Sequence, residues 1–238
     1  LLTDEPDLLA VANERGNDPT DVNKEHPLDF VLWQRSRPGE PAWRSPWGDG
    51  RPGWHVECSA MSRALLDDQV DIHGGGADLA FPHHGCELAQ AAALGGPKPW
   101  VRFWMHVAMV GKDGRKMSKS LGNLVMVSDL LELHEPDAIR LCMLRHHYRQ
   151  PWQWHHAELE ECDAWARALH AAAARRDTSG TDLDPVSWGP RFVEALDNDL
   201  DTPEAVRVVL ALADTILASP AGTRVVAAQD LLRTLAGR

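Results

Sequence analysis

Val70-Asp71-Ile72-His73-Gly74-Gly75-Gly76 reads as a short strand, Val70 to His73, that ends in three glycines. A buried strand running into glycines is a common place for a ligand to meet backbone in an α/β sheet. Working outward, Pro82 suits the first turn of a helix that runs to about Leu94 and stops at Gly95-Gly96. Arg102 to Val110 is the next expected strand. Strand, helix and strand in that order predict an α/β sheet domain over residues 1–125. Before it, Leu8 to Arg15 suits one short helix, and Gly16 to Asp21 reads as turns. Leu28 to Trp54 is dense in Trp, Pro and Gly, which predicts a packed irregular segment. Within it, plain packing is the expectation for Trp33, Trp43 and Trp47. Helix is expected again from Ser59 to Leu66.

Beyond residue 125 the pattern turns helical. Val127–His134 and Pro136–His146 read as two short helices, broken at Pro151-Trp152. Ala157 to Arg175 places Leu159, Cys162, Trp165 and Leu169 at helical spacing on one face. Asp177 to Pro185 reads as a loop, followed by helices over Arg191–Leu196, Pro203–Ala218 and Thr223–Leu235. Thr202-Pro203-Glu204 reads as a cap followed by Pro at the first helical position. Residues 126–238 are therefore an expected all-α helical bundle.

Composition narrows the function. The chain has 238 residues, 44% of them apolar, and no run approaching a membrane span of ~20 apolar residues. Leu1-Leu2-Thr3-Asp4-Glu5 lacks the basic start and apolar core of a signal peptide. Four cysteines without disulfide-like spacing fit a reducing compartment, so cytoplasm is expected. There is no initiator Met, and the expectation is a piece of a longer protein or a truncated form. The formal net charge of -11 argues against indiscriminate nucleic-acid binding. Residues 101–176 nevertheless carry a net +2, so any RNA surface is expected there, with Arg145, Arg149, Arg175 and Arg176 as candidate contacts.

Two constellations carry chemistry. Lys116-Met117-Ser118-Lys119-Ser120 places two lysines three residues apart in a Gly-bearing loop. Fixed ammonium groups beside flexible backbone suit a polyphosphate whose charge grows during reaction. Composition alone leaves a solvated basic loop ahead of that reading. The second constellation is Cys58, then His83 lying 25 residues later, and Glu87. His83 and Glu87 are four apart and share a helix face; Cys58 joins them only through the fold. Thiolate, imidazole and carboxylate are all good zinc ligands. From spacing alone, packing of a lone Cys and His stays ahead of ligation.

The full strings change that weighing. Lys116 to Ser120 resembles the KMSKS signature of class I aminoacyl-tRNA synthetases. Pro41-Ala42-Trp43, Ser45-Pro46-Trp47-Gly48, Gly50 to Met61, Asp71 to Gly76 and Phe81-Pro82-His83-His84 are similar to cysteinyl-tRNA synthetases, over about Leu28 to Trp154. The resemblance implies the second half of a Rossmann-like catalytic domain followed by the helical bundle. It implies ATP-dependent activation of cysteine and transfer to tRNA(Cys), by a monomer. It implies one Zn2+ on Cys58, His83 and Glu87, with a fourth ligand in an N-terminal part that this chain lacks. Trp54 and His73 are then expected at the cysteine pocket. Lys119, Ser118, Gly75 and Asp78 are expected at ATP, with Lys116 and Lys119 as the catalytic pair.

The chain departs from the family in two places. Gly85-Cys86-Glu87 stands where the family has Glu-Asn-Glu, and Cys86 is expected to pack. No His-x-Gly-His motif is present. Two rivals follow. A mycothiol-pathway ligase, joining cysteine to a glucosaminyl-inositol, shares Gly122 to Ser128, Ala138 to Arg149 and Asp199 to Pro203 loosely; His73 and Glu87 stand against it. A non-catalytic, zinc-stabilised binding module is the rival of another class; Lys116 and Lys119 stand against that.

Overall fold

The computed structural model describes residues 5–119, 121–176 and 180–237. Ser120 of the Lys-rich string, and Asp177 to Ser179 of the expected loop, lie outside the described residues. The chain forms two compact units, Leu1–Val107 and Ala108–Arg238.

The first unit begins with α1 (Glu5–Glu14), followed by a two-residue ladder of β1 (Trp33–Gln34) and β2 (Arg51–Pro52). Trp43 and Trp47 do not pack as expected: they are 56% and 79% exposed. The backbone around them is held by the ladder and by a bridge between Trp43 and Gly50, so their rings are not needed to order it. Helix α2 (Trp54–Leu65) starts earlier than the expected Ser59. Gly53 is its N-cap, and the Gly53 amide donates to Leu32 O (2.9 Å). The earlier start matters, because Trp54, His55 and Cys58 now share one helix.

Strand β3 (Val70–Gly76) and strand β4 (Val101–Val107) pair in parallel, from Val70↔Val101 to Gly76↔Val107. Parallel neighbours need a long crossover. It holds a 3-10 turn at Ala77–Leu79 and α3 (His83–Ala93). The glycines do not end β3 as expected; they continue it. At Gly75 an added Cβ would lie 2.9 Å from His84 Cε1 and 3.1 Å from Leu79 Cδ1. A residue without a side chain is what lets the α3 imidazole approach the strand. Val70, Trp100 and Val101 form the buried core of the pair.

The expected strand Arg102–Val110 is two strands. It breaks after Val107, where the Ala108 amide donates to Tyr148 O (2.7 Å). In the second unit, β5 (Val110–Lys112) pairs antiparallel with β6 (Arg115–Lys116) and parallel with β7 (Trp152–Gln153). The compact units therefore divide at Val107, ahead of the line at 125, because the Lys-rich hairpin is pinned to β7.

The remainder is helical: α4 (Val127–Leu130), α5 (Pro136–Leu144), α6 (His156–Ala174), α7 (Trp188–Asp197), α8 (Thr202–Ala218) and α9 (Val226–Leu235). A short parallel ladder joins β8 (Thr181–Asp182) to β9 (Thr223–Arg224). The expected face of α6 is the packed one: Leu159, Cys162 and Ala166 are buried, with Trp165 and Leu169 against them. A second cluster centres on Leu212, Ile216, Val225 and Leu232. Each such side chain withdrawn from water contributes about 1.5–3 kcal/mol. The cap of α8 is Asp201 rather than Thr202, its side chain accepting the Glu204 amide (3.0 Å). All four cysteines are free thiols. Among the described residues, no helix is long and apolar enough to cross a membrane.

Three of the four basic residues expected at RNA make contacts inside the unit. Arg145 donates to Glu161 (2.8 Å) and lies over Trp165 (4.8 Å). Arg175 donates to the carbonyls of Ile216, Leu217, Ser219 and Pro220 at the end of α8. Arg149 clamps Asp199 through Nε (2.5 Å) and Nη2 (2.9 Å), and Tyr148 Oη adds a third bond (2.7 Å). Asp199 and Leu200 hold left-handed φ of 55° and 54°, which cost energy for non-glycine residues, so the clamp fixes an unfavourable turn. The Arg149 bond, then the Tyr148 bond, hold the Asp199 carboxyl down at about 2. A depressed carboxylate adds stability that is present above its ordinary value and is lost as pH falls through the folded one. Arg149→Met is expected to return the Asp199 midpoint from about 2 toward 3.8, read by carbon-13 NMR titration. An unmoved midpoint would refute the clamp.

Candidate functional site

The first unit gathers its chemistry between α2, α3 and the β3–β4 pair. On α3, His83 and Glu87 sit one turn apart and both are buried; Glu87 is 0% exposed. Cys58 reaches them from α2. The ligand atoms of Cys58, His83 and Glu87 all lie within 4.8 Å of one another. Spacing joins Cys58 to the helical pair only through the fold, and the packing of α2 on α3 brings the three together.

The Glu87 carboxylate is the unusual group. Its Oε2 accepts from His73 Nε2 (2.8 Å). Its Oε1 is buried and has no hydrogen-bond partner among the described residues, with His83 Nε2 at 3.6 Å. A buried carboxylate oxygen left unpaired is costly unless a cation meets it. Sulfur, nitrogen and oxygen donors around that oxygen fit zinc. The residues present therefore fit the ion that the resemblance implies.

Histidines line the surroundings. His83 Nδ1 meets His55 Nδ1 (2.9 Å), and Trp54 stacks on the His83 ring at 4.5 Å between centroids. His84 Nδ1 meets His106 Nε2 (2.8 Å), and the His84 ring lies 4.5 Å from that of His73. Burial, then the charges of His73, His106 and His83, push His84 down to about 4, so its imidazole is neutral at pH 7. Burial lowers His106 and His55 as well. Burial first, then Glu87 and Glu57, raises Cys58. Burial, then the neighbouring Glu87, raises Cys86 to about 12; it is a packed thiol on the buried face of α3.

The expected residues thus fall into two groups. Trp54, Cys58, His73, His83 and Glu87 come together. Gly75 lies in β3 against His84, and Asp78 lies in the 3-10 turn that follows. Lys116, Ser118 and Lys119 belong to the second unit. His55, His84 and His106 were missed. His84 had a signal, being adjacent to His83; His106 had none, since only the parallel register sets it opposite Gly75.

The lysine loop has its own logic. Asp113 and Gly114 hold φ of 54° and 71°, the pair of positive angles that a two-residue type I′ hairpin demands. Asp-Gly is a strong sequence signal for that turn, inside the stretch expected as a Gly-bearing loop. The turn reverses the chain so that Lys116 ends β6 and Ser118 and Lys119 follow it, with both lysines exposed. Asn123 then fastens the loop. Its Oδ1 accepts the Ser118 amide (2.9 Å) and its Nδ2 donates to Lys116 O (3.2 Å).

A family model described as "tRNA synthetases class I (C) catalytic domain" matches residues 7–164. A "Cysteine--tRNA ligase" of Dichelobacter nodosus is 46% identical over 215 residues, covering 90% of this chain and 46% of the relative. A "Cysteine--tRNA ligase" of Dehalococcoides mccartyi is 45% identical over 195 residues, covering 81% of this chain and 43% of the relative. An "L-cysteine:1D-myo-inositol 2-amino-2-deoxy-alpha-D-glucopyranoside ligase" of Nocardiopsis dassonvillei is 49% identical over 220 residues, covering 90% and 52%. The chain spans about half the length of the curated relatives it matches. Among solved structures, the LeuRS–tRNA–LeuAMS ternary complex of Agrobacterium radiobacter K84 superimposes with a TM-score of 0.59 at 17% identity, over 82% of this chain and 32% of that one. That likeness shows the fold: a class I catalytic α/β part followed by helices.

The Asn123 fastening has a direct readout. Asn123→Ala removes both bonds; the one to the Ser118 amide is worth about 1 kcal/mol, so hydrogen exchange at that amide is expected to speed up by roughly fivefold. Unchanged exchange there would show that the loop is held by something else.

Proposed function

Because the chain belongs to the class I (C) tRNA-synthetase catalytic-domain family, we propose that it serves ATP-dependent activation of cysteine and transfer of the cysteinyl group to tRNA(Cys). The observation that carries this reading is the convergence of Cys58, His83 and Glu87 on an unpartnered, buried carboxylate oxygen. Those three residues would hold zinc. Bound there, the ion supplies a soft acceptor that a substrate thiolate fills well and a serine hydroxyl fills poorly.

The chain's own residues do the rest. His73 donates to Glu87 and fixes which carboxylate oxygen faces His83. Trp54 covers His83 and forms the exposed wall of a cysteine pocket, with His73 at its edge. Cysteine is activated when its carboxylate attacks the α-phosphate of ATP, which forms cysteinyl-adenylate and releases pyrophosphate. Lys119, and secondarily Lys116, meet the negative charge that grows on the departing pyrophosphate. Such a donor contributes about 3–4 kcal/mol when it acts mainly in the transition state. Ser118, Gly75 and Asp78 complete the ATP contacts in this reading. The terminal ribose hydroxyl of tRNA then takes the cysteinyl group from the adenylate. The functional division is a catalytic part over 1–125 and a stem-contacting helical part over 126–238, in a cytoplasmic monomer.

A second reading shares the first half-reaction and changes the acceptor. It rests on the Nocardiopsis dassonvillei relative, a ligase whose name gives an aminosugar as its substrate. His73 and Glu87 weigh against it together, since they form one hydrogen-bonded unit (2.8 Å). The test is cysteine-dependent ATP–pyrophosphate exchange, followed by each acceptor, on the protein as its gene encodes it. Exchange with tRNA(Cys) as the productive acceptor is the expected result. Productive transfer to glucosaminyl-inositol supports the second reading, and binding of cysteine without exchange would make the chain a binding module. Lys119→Ala is expected to lower the exchange rate by about 10²–10³ with little change in the KM for cysteine; an equal loss in both would remove Lys119 from the catalytic role.

A further inference from the structure

Glu87 belongs to two ligand sets, not one. The ligand atoms of His73, His84 and Glu87 also lie within 4.8 Å of one another. The two sets are built alike. In each, one buried histidine of α3 has its Nδ1 engaged by another histidine: His83 by His55 (2.9 Å) and His84 by His106 (2.8 Å). That engagement orients the ring and leaves Nε2 as the ligating atom, as outer histidine partners do around metals. In each, one oxygen of Glu87 faces inward, Oε1 toward His83 (3.6 Å) and Oε2 toward His73 (2.8 Å). The sets differ in the third donor, the Cys58 thiol in one and the His73 imidazole in the other.

We infer that His73, His84 and Glu87 form a second cation position, bridged to the first by the Glu87 carboxylate. Two imidazoles and a carboxylate suit a borderline divalent ion such as Zn2+, Co2+ or Ni2+ and suit Ca2+ or Mg2+ poorly. Binding at Nε2 replaces the His73–Glu87 hydrogen bond, with the His73 ring in its Nδ1–H tautomer. His73 is the partly exposed member of the set, so the ion enters beside its ring. The position does not depend on cysteine being the substrate; it depends only on the same carboxylate.

Cobalt tests it, because a thiolate ligand gives Co2+ a charge-transfer band that nitrogen and oxygen donors do not. The purified protein is titrated with Co2+, with circular dichroism as the folding control. Two equivalents are expected, one of them with the thiolate band. Cys58→Ser combined with His83→Ala is expected to keep one equivalent and lose the band. His84→Asn alone is expected to keep one equivalent together with the band. If the wild type binds a single ion with the band, and His84→Asn leaves that stoichiometry unchanged, the second position is overturned and the first stands. If ions bind without any thiolate band, and one is lost in His84→Asn, the second position stands and the Cys58 assignment fails. Should the double variant not fold, the His84→Asn stoichiometry decides.

Discussion

A carboxylate with no solvent exposure is the constraint around which the first unit is arranged. Burying Glu87 removes its hydration, and the cost is several kcal/mol unless opposite charge or hydrogen bonds replace it. Among the described residues, the ion pairs it makes are with histidines, not with lysine or arginine. The surrounding structure serves that need. Gly75 withdraws its Cβ so that His84 can close on the strand. The β3–β4 register carries His73 to Oε2 and sets His106 opposite Gly75. Helix α2 begins early enough to bring Cys58 and Trp54 alongside. A group that is expensive to bury thus lies where a close-approach glycine, an early helix start and a parallel strand register meet.

The lysine loop is governed by different physics. Its two lysines, Lys116 and Lys119, are exposed. Order comes from short-range backbone geometry instead: a type I′ turn at Asp113-Gly114, then the Asn123 side chain bonding Ser118 and Lys116. A loop fastened by a few net bonds of about 1 kcal/mol each can close on a ligand and open again. The buried histidine–carboxylate cluster and the exposed lysine loop therefore have opposite mechanical characters in the same chain.

The helical unit uses its arginines for its own structure. In the fold, Arg145, Arg149 and Arg175 each satisfy partners of their own unit: a carboxylate and an indole, a strained turn, and the carbonyls at a helix end. Guanidinium groups are well suited to such roles, since their planar donors fit carboxylates and clustered carbonyls alike.

By itself the sequence determined what depends on neighbours along the chain. Periodicity set the buried face of α6, proline and glycine bounded α3, and His83 with Glu87 shared a face by helical spacing alone. Tertiary structure decided whatever depends on residues far apart. The continuation of β3 through Gly74, Gly75 and Gly76 needed a parallel partner, which no local pattern encodes. The break at Ala108 needed the Tyr148 carbonyl. Cys58 could be joined to Glu87, and His106 to His84, only once packing closed the distance, because a ligand set is a property of space rather than of spacing.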